Sequence, residues 1–142
     1  MSGIEEAIAL ALQAHTGQKD KAGQPYIMHP LRVMARVHRP DEPAFAIAGV
    51  LHDVIEDCDG YSSETLHLQG FGAEVVEAVN SVTRRDGESY IEFVERAAAN
   101  RIGRAVKIAD IQDNLDPDRM RLLPPDEKRR QKYEAALTRL LG

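Results

Sequence analysis

The sequence has a single cysteine, Cys58, and no tryptophan. One thiol excludes an internal disulfide and any zinc site built from several cysteines. No apolar run approaches the roughly 20 residues that a membrane-spanning helix needs. The first six residues contain neither the basic segment nor the apolar stretch of a signal peptide. These absences predict a cytoplasmic protein that has no membrane partner.

Basic residues are few and scattered along the chain. There are 18 lysines and arginines against 23 aspartates and glutamates, which gives a net charge of −5. A nucleic-acid-binding surface neutralises phosphates with clustered basic side chains, so this balance argues against a nucleic-acid partner. A small phosphate ester stays compatible with an acidic protein when a divalent metal supplies local positive charge. Composition leaves open whether the protein is a monomer or a homo-oligomer.

Apolar residues recur at helical spacing, and β-branched residues rarely alternate with polar ones. The pattern predicts an all-α fold, a compact bundle of about seven or eight helices in a single domain over residues 1–142. Capping-box spacing places two helix starts at Ser2–Glu5 and Ser89–Glu92. A third helix, expected from about Asp41, is apolar on every side from Phe45 to Leu51, which is typical of a buried central helix.

This central helix is expected to continue past Leu51, where ionisable groups occupy four of six positions: His52, Asp53, Glu56 and Asp57. At 100° per residue the four side chains fall within one arc of about 140°. Carboxylates at the end of a buried helix repel one another and incur a desolvation penalty. A bound divalent cation removes both problems. The alternative is a solvated helix end with a structural histidine.

Two other ionisable residues lie next to apolar segments. His29 lies at the border of a polar loop and an apolar helix, and Asp110 lies in a helical segment that would otherwise bury it. Either residue alone is more typical of a satisfied core group or a helix cap. Together with His52 and Asp53 they form a mixed nitrogen and oxygen set that suits Mn²⁺, Fe²⁺, Zn²⁺ or Ni²⁺.

Five blocks in order, from about residue 7 to residue 115, resemble the HD-domain metallophosphohydrolases. Within that family, the blocks resemble the hydrolase domain of RelA/SpoT-type alarmone enzymes and their small stand-alone relatives. The blocks are Ala14-His15-Thr16-Gly17-Gln18, Gly23-Gln24-Pro25-Tyr26-Ile27-Met28-His29-Pro30, Leu51-His52-Asp53-Val54-Ile55-Glu56-Asp57, Phe71-Gly72 and Val106-Lys107-Ile108-Ala109-Asp110.

The resemblance implies one Mn²⁺ held by four ligands, His29, His52, Asp53 and Asp110. It also implies that Glu56 and Asp57 position and activate the attacking water. Asn114, four residues after Asp110 and on the same helix face, matches a nucleotide contact of that family. The implied reaction is removal of the 3′-pyrophosphate from (p)ppGpp, which gives GDP or GTP.

Departures from the family pattern concern the substrate. Where the alarmone hydrolases carry an Arg-Lys pair in the loop before the first histidine, this chain has Asp20 and Lys21. Asp20 places an anion where an anionic ligand should arrive, and Lys21 is either a phosphate contact or a solvated lysine. Where the family continues Arg-Leu-His-Asn after Asp110, this chain has Ile-Gln-Asp-Asn. Arg84 is either a phosphate contact or part of a solvated helix end.

Three functions remain open from the sequence. The first is a (p)ppGpp hydrolase, and the second is a phosphatase or pyrophosphatase for another phosphorylated nucleotide or metabolite. The third is a non-catalytic nucleotide-binding regulator that keeps the fold. The presence of both Glu56 and Asp57 argues against the third, because a pure binding site needs no pair of water-activating carboxylates.

Overall fold

The computed structural model describes all 142 residues and consists of ten α-helices with no strand. The helices are α1 (Ile4–Ala14), α2 (Met28–Val37), α3 (Pro43–Leu51), α4 (Val54–Asp57), α5 (Ser63–Leu68), α6 (Ala73–Ser81), α7 (Tyr90–Ala98), α8 (Arg101–Asn114), α9 (Pro117–Met120) and α10 (Glu127–Leu141). Helices α4 and α9 are single turns of four residues. The predicted all-α class is confirmed, and the eight longer helices match the expected number.

Helix α3 lies at the centre of the fold and packs against α1, α2, α6 and α8. All residues from Phe45 to Leu51 are buried, which explains why this segment has no polar face. A smaller apolar cluster joins α7 and α8 to the C-terminal helix α10. None of the ten helices has both the length and the hydrophobicity needed to cross a membrane.

The two predicted helix starts differ in outcome. Ser89 and Glu92 form the expected capping box, with the Ser89 hydroxyl accepting from Glu92 N at 3.1 Å and Ser89 N donating to Glu92 Oε1 at 3.0 Å. The start predicted at Ser2–Glu5 is one residue too early. Gly3 is the N-cap, and its N–H donates to Glu6 Oε1 at 2.9 Å. The Ser2 hydroxyl instead donates to the Gln69 carbonyl, which ties the N-terminus to the end of α5.

The prediction that the central helix runs unbroken through the acidic turn is wrong. Helix α3 ends at Leu51, and α4 begins at Val54 after a break at His52 and Asp53. The imidazole Nδ1 of His52 donates to the Gly49 carbonyl at 2.7 Å. In an unbroken helix that carbonyl would accept from the N–H of Asp53. The ring therefore replaces a backbone bond, and the chain turns at the point where the ionisable residues begin.

Gly49 permits the close approach of α2 and α3. A Cβ atom at this position would lie 2.9 Å from Cγ2 of Val37 and 3.2 Å from Cα of Met34. The second of these atoms belongs to the backbone of α2, so a side-chain rotation cannot relieve the contact. The separation of the two helices therefore depends on the missing side chain.

We expect Gly49→Ala to lower the free energy of unfolding by about 1–2 kcal/mol. Overpacking costs about 1–3 kcal/mol, and the better helix propensity of alanine offsets up to about 1 kcal/mol of it. Urea unfolding followed by circular dichroism measures the change. Gly3→Ala is the control, because its Cβ would meet nothing closer than 3.8 Å. Equal stability of Gly49→Ala and wild type would contradict the packing described for α2 and α3.

Candidate metal centre and substrate cavity

The four predicted metal ligands converge from three parts of the fold. Helix α2 supplies His29, the turn between α3 and α4 supplies His52 and Asp53, and α8 supplies Asp110. Nε2 of His29 lies 3.6 Å from Oδ2 of Asp53 and 3.0 Å from Oδ1 of Asp110. Nε2 of His52 lies 3.0 Å and 3.5 Å from the same two oxygens. Two imidazole nitrogens and two carboxylate oxygens thus face one another in a buried cluster.

Hydrogen bonds at Nδ1 fix the orientation of both rings. Nδ1 of His29 lies 2.6 Å from Oδ2 of Asp113, and Nδ1 of His52 donates to the Gly49 carbonyl. In the neutral ring the proton is then on Nδ1, so that Nε2 has a lone pair for a metal ion. Nε2 of His52 is buried and has no hydrogen-bond partner. Buried polar atoms usually have a hydrogen-bond partner, so a buried ring nitrogen without one is typical of a metal ligand.

Charge interactions within the cluster are strong. Burial lowers the pKa of His52, but the charge of Asp53 and contact with Asp110 outweigh it and hold that pKa well above its usual value. Burial raises the pKa of Asp53, yet His52 brings it down to about 2. The carboxylates are therefore ionised and shielded from water. Such a donor set attracts a divalent cation.

Asp113 contacts the cluster, although the sequence showed it only as an acidic departure from the family pattern. Its side chain is 0% exposed, and it accepts from Nδ1 of His29, from Nε of Arg32 at 2.8 Å and from Nη1 of Arg119 at 2.9 Å. Burial raises the pKa of Asp113, but His29 and Arg32 lower it to about 2. The ionised carboxylate therefore holds the His29 ring in place. Its position three residues after Asp110, on a neighbouring part of the α8 surface, was the available signal.

The predicted catalytic pair lies beside the cluster on α4. Oε1 of Glu56 accepts from the backbone N–H of Arg84 at 2.8 Å. Burial, together with the charges of Asp53 and Glu56, raises the pKa of Asp57 to about 6. The hydroxyl of Tyr26 donates to Oδ2 of Asp53 at 2.6 Å and lies 3.2 Å from Oδ2 of Asp57, so it links a predicted metal ligand to a predicted catalytic residue. The sequence analysis did not single out Tyr26.

A cavity of about 1060 Å³ opens in front of the cluster. It brings together eight of the nine residues predicted to form the site: His29, Asp53, Asp110, Glu56, Asp57, Lys21, Asn114 and Arg84. The ninth, His52, lies behind them and is buried. The volume is sufficient for a nucleotide-sized ligand, since small-molecule sites are typically about 300–1,000 Å³.

One side of this cavity, here called the basic wall, carries the cations Arg84, Lys107, Arg129 and Lys132. Lys107 pairs with Asp110 at 3.0 Å, and the other three form no salt bridge. Burial lowers the pKa of Lys132, and the charges of the other three cations lower it further. The hydroxyl of Tyr90 on this side is buried and unpaired. Positive charge that no carboxylate neutralises suits a polyanionic ligand.

Asp20, Asn114 and Arg119 line another part of the cavity. Oδ1 of Asp20 accepts from the N–H groups of Ala22 and Gln24, each at 2.9 Å. Oδ2 of Asp20 lies 3.4 Å from Nη2 of Arg119. Asp20 therefore organises its own loop and has its charge offset by an arginine. The position of Asp20 in the sequence suggested an isolated anion facing the ligand. In the structure the charge of Asp20 is instead paired with Arg119.

The model of the family described as HD domain matches residues 7–114. The chain belongs to the HD-domain family. That membership and the buried cluster of histidines and aspartates together imply that this HD domain holds a divalent metal.

Several relatives have names that state an enzymatic activity. The chain is 33% identical over 144 residues to a guanosine-3′,5′-bis(diphosphate) 3′-pyrophosphohydrolase of Vibrio cholerae, which covers 92% of this chain and 20% of that protein. It is 39% identical over 104 residues to a GTP pyrophosphokinase of Streptomyces coelicolor, which covers 72% of this chain and 12% of that protein. This HD domain thus spans a fifth or less of the length of these relatives.

A solved structure extends the similarity to nearly the whole chain. It is described as a metazoan ortholog of SpoT that hydrolyses ppGpp. The two structures superpose with a TM-score of 0.76 at 26% sequence identity, over 99% of this chain and 84% of that one. The helical arrangement around the cluster is therefore that of a known hydrolase.

We expect Asp113→Asn to weaken divalent-metal binding by about 10–100-fold, because the neutral amide no longer fixes the His29 ring through a charged hydrogen bond. Calorimetric titration with Mn²⁺ as the probe ion measures the affinity. Asp116→Asn is the matched control, because Asp116 lies just beyond α8 at the N-cap of α9, where asparagine also caps, and its only salt bridge is to Arg36 at 3.8 Å. Unchanged Mn²⁺ affinity in Asp113→Asn would remove Asp113 from the site.

Proposed function

We propose that this HD domain is a Mn²⁺-dependent hydrolase that removes the 3′-pyrophosphate from (p)ppGpp. The observation that carries the proposal is the position of Glu56 and Asp57, which line one cavity together with the metal-ligand cluster and the basic wall. The named activities of the Vibrio cholerae relative and of the SpoT ortholog point to the same substrate. His29, His52, Asp53 and Asp110 would hold the metal.

A divalent cation in this position supplies Lewis-acid stabilisation of phosphoryl charge and makes a water molecule more acidic. Asp57 takes the proton of the attacking water and Glu56 orients that water, because both carboxylates line the cavity beside the cluster. Tyr26 holds Asp57 in place through its hydroxyl. The backbone N–H of Arg84 does the same for Glu56 and leaves its second oxygen free.

The basic wall binds the phosphate groups of the substrate. Arg129 and Lys132 of α10 line the cavity with Arg84 and form no salt bridge, so their charge is available to the ligand. Lys21 enters the cavity from the loop side and Asn114 from α8. Hydrolysis adds water across the P–O bond that joins the 3′-diphosphate to the nucleoside. The products are pyrophosphate and GDP or GTP.

A second candidate is hydrolysis of another phosphorylated nucleotide. It is favoured by Asp20 and Asp113, two acidic residues that stand where the alarmone hydrolases have basic ones. Both candidates require catalysis, whereas a nucleotide-binding regulator does not. A panel of nucleotides assayed for released phosphate and pyrophosphate separates the three.

Purified protein with Mn²⁺ is expected to release pyrophosphate from ppGpp, and Asp57→Asn is expected to lower kcat by about 10²-fold or more, because the general base is lost. His52→Ala supplies the baseline for a disrupted metal site. Asp59→Asn is the control, since this exposed carboxylate lies two residues beyond Asp57 and does not line the cavity. Wild-type turnover no better than that of His52→Ala would refute ppGpp as the substrate.

Lys132→Ala is expected to raise KM for ppGpp about tenfold with kcat little changed, because one charged phosphate contact is worth about 1.5 kcal/mol. Steady-state kinetics measures both constants. Arg130→Ala is the matched control, because Arg130 lies on the same helix but pairs with Glu127 and Glu134 outside the cavity. A KM that changes equally in both variants would show that the basic wall does not bind the phosphates.

A further inference from the structure

The loop of residues 82–88 joins α6 to α7 and contacts the predicted catalytic turn through a backbone group. The N–H of Arg84 donates to Oε1 of Glu56 at 2.8 Å, and this is the only hydrogen bond that the Glu56 carboxylate makes within the protein. A backbone N–H cannot move independently of its loop. The orientation of Glu56 therefore depends on where the loop of residues 82–88 lies.

Arg96 of α7 fixes this loop at both of its ends. Nη1 donates to the carbonyl of Asn80 at 2.7 Å, and Nη2 donates to the carbonyl of Thr83 at 2.6 Å. Nε and Nη2 also donate to the two carboxylate oxygens of Glu88, at 2.8 Å and 2.9 Å. Apart from the contact with Glu56, no other hydrogen bond joins the loop to a helix beyond α6.

Glu88 connects Arg96 to the residue that contacts the catalytic turn. Its carbonyl accepts from Nη2 of Arg84 at 3.2 Å, and its Oε1 accepts from the N–H of Arg85 at 3.1 Å. The side chains of Arg96 and Glu88 are 19% and 10% exposed, so neighbouring residues cover most of the pair. The contacts run from Arg96 through Glu88 to Arg84, whose N–H meets Glu56.

We propose that Arg96 is a positioning residue for catalysis, which holds the loop of residues 82–88 so that the Arg84 N–H orients Glu56 towards the attacking water. The proposal rests on the proposed function, in which Glu56 orients that water. Arg96 does not line the cavity, so it acts only through the loop. Lysine cannot replace it, because a guanidinium group presents several donors in one plane and an ammonium group is a point charge.

Solvent exchange of the Arg84 backbone N–H, measured by NMR on isotope-labelled protein, tests this link without a substrate. Mg²⁺ is the probe ion, because paramagnetic Mn²⁺ broadens nearby signals. Arg96→Lys and Glu56→Ala are each expected to speed this exchange about tenfold, because a hydrogen bond to a carboxylate is lost. The N–H of Ala22, which donates to Oδ1 of Asp20 at 2.9 Å in another loop, is expected to stay within about twofold.

Steady-state kinetics on ppGpp with Mn²⁺ measures the consequence for catalysis. Arg96→Lys is expected to lower kcat about tenfold, because the water is held less well in line with the phosphoryl group. KM is expected to stay within about threefold, since most cations of the basic wall come from α8 and α10 and not from the loop. In a Glu56→Ala background, Arg96→Lys is expected to cause no further fall in kcat.

Arg139→Lys is the matched control, because Arg139 also donates through two nitrogens to a glutamate of α7, Glu95, and neither residue lines the cavity. It is expected to keep wild-type Arg84 exchange and kcat. Glu88→Gln removes the charge that Arg96 grips and is expected to reproduce both effects of Arg96→Lys.

Wild-type exchange of the Arg84 N–H in both Arg96→Lys and Glu88→Gln overturns the proposal. An equal fall in kcat whether or not Glu56 is present overturns it as well, as does protein that turns over no nucleotide. Protein that hydrolyses another nucleotide but not ppGpp, and shows the expected exchange and kcat effects with that nucleotide, upholds the role of Arg96 and rejects the proposed substrate.

Discussion

Taking a carboxylate out of water costs several kcal/mol unless hydrogen-bond donors or a cation replace the water. Asp53, Asp110 and Asp113 all meet this condition inside the helical bundle. Asp113 is surrounded by one imidazole and three guanidinium groups, and Asp110 by two imidazoles and the ammonium group of Lys107. The partners come from α2, α8, α9 and the turn after α3, so the helices must dock in one arrangement for these charges to be tolerated.

The same constraint shapes the substrate cavity. Arg32 and Arg119 pair with the buried Asp113, whereas Arg129 and Lys132 of α10 line the cavity and form no salt bridge. The charge of Arg32 and Arg119 is thus used within the protein, and that of Arg129 and Lys132 is left available to a ligand. The proposed reaction needs such free cations, because the phosphate groups of a nucleotide attract them.

Structural features that depend only on residues close together in the chain could be predicted from the sequence. The capping box at Ser89 is local, and so is the apolar run that makes α3 central. The start of α1 and the break after Leu51 were mispredicted because each depends on a side chain finding a distant or competing carbonyl. The four candidate ligands were selected by their chemistry and by the family resemblance, and the structure brings their side chains together. Arg119 was missed because its partner Asp20 lies 99 residues away in the chain.

Gly49 connects the packing of the bundle to the coordination chemistry. Its missing side chain lets α2 approach α3, and its carbonyl orients His52. His29 lies on α2 and His52 at the end of α3, so the distance between the two helices is also a dimension of the candidate metal site. A single backbone position therefore sets how far apart the two imidazoles stand, and with it the size of ion that the four ligands are able to enclose.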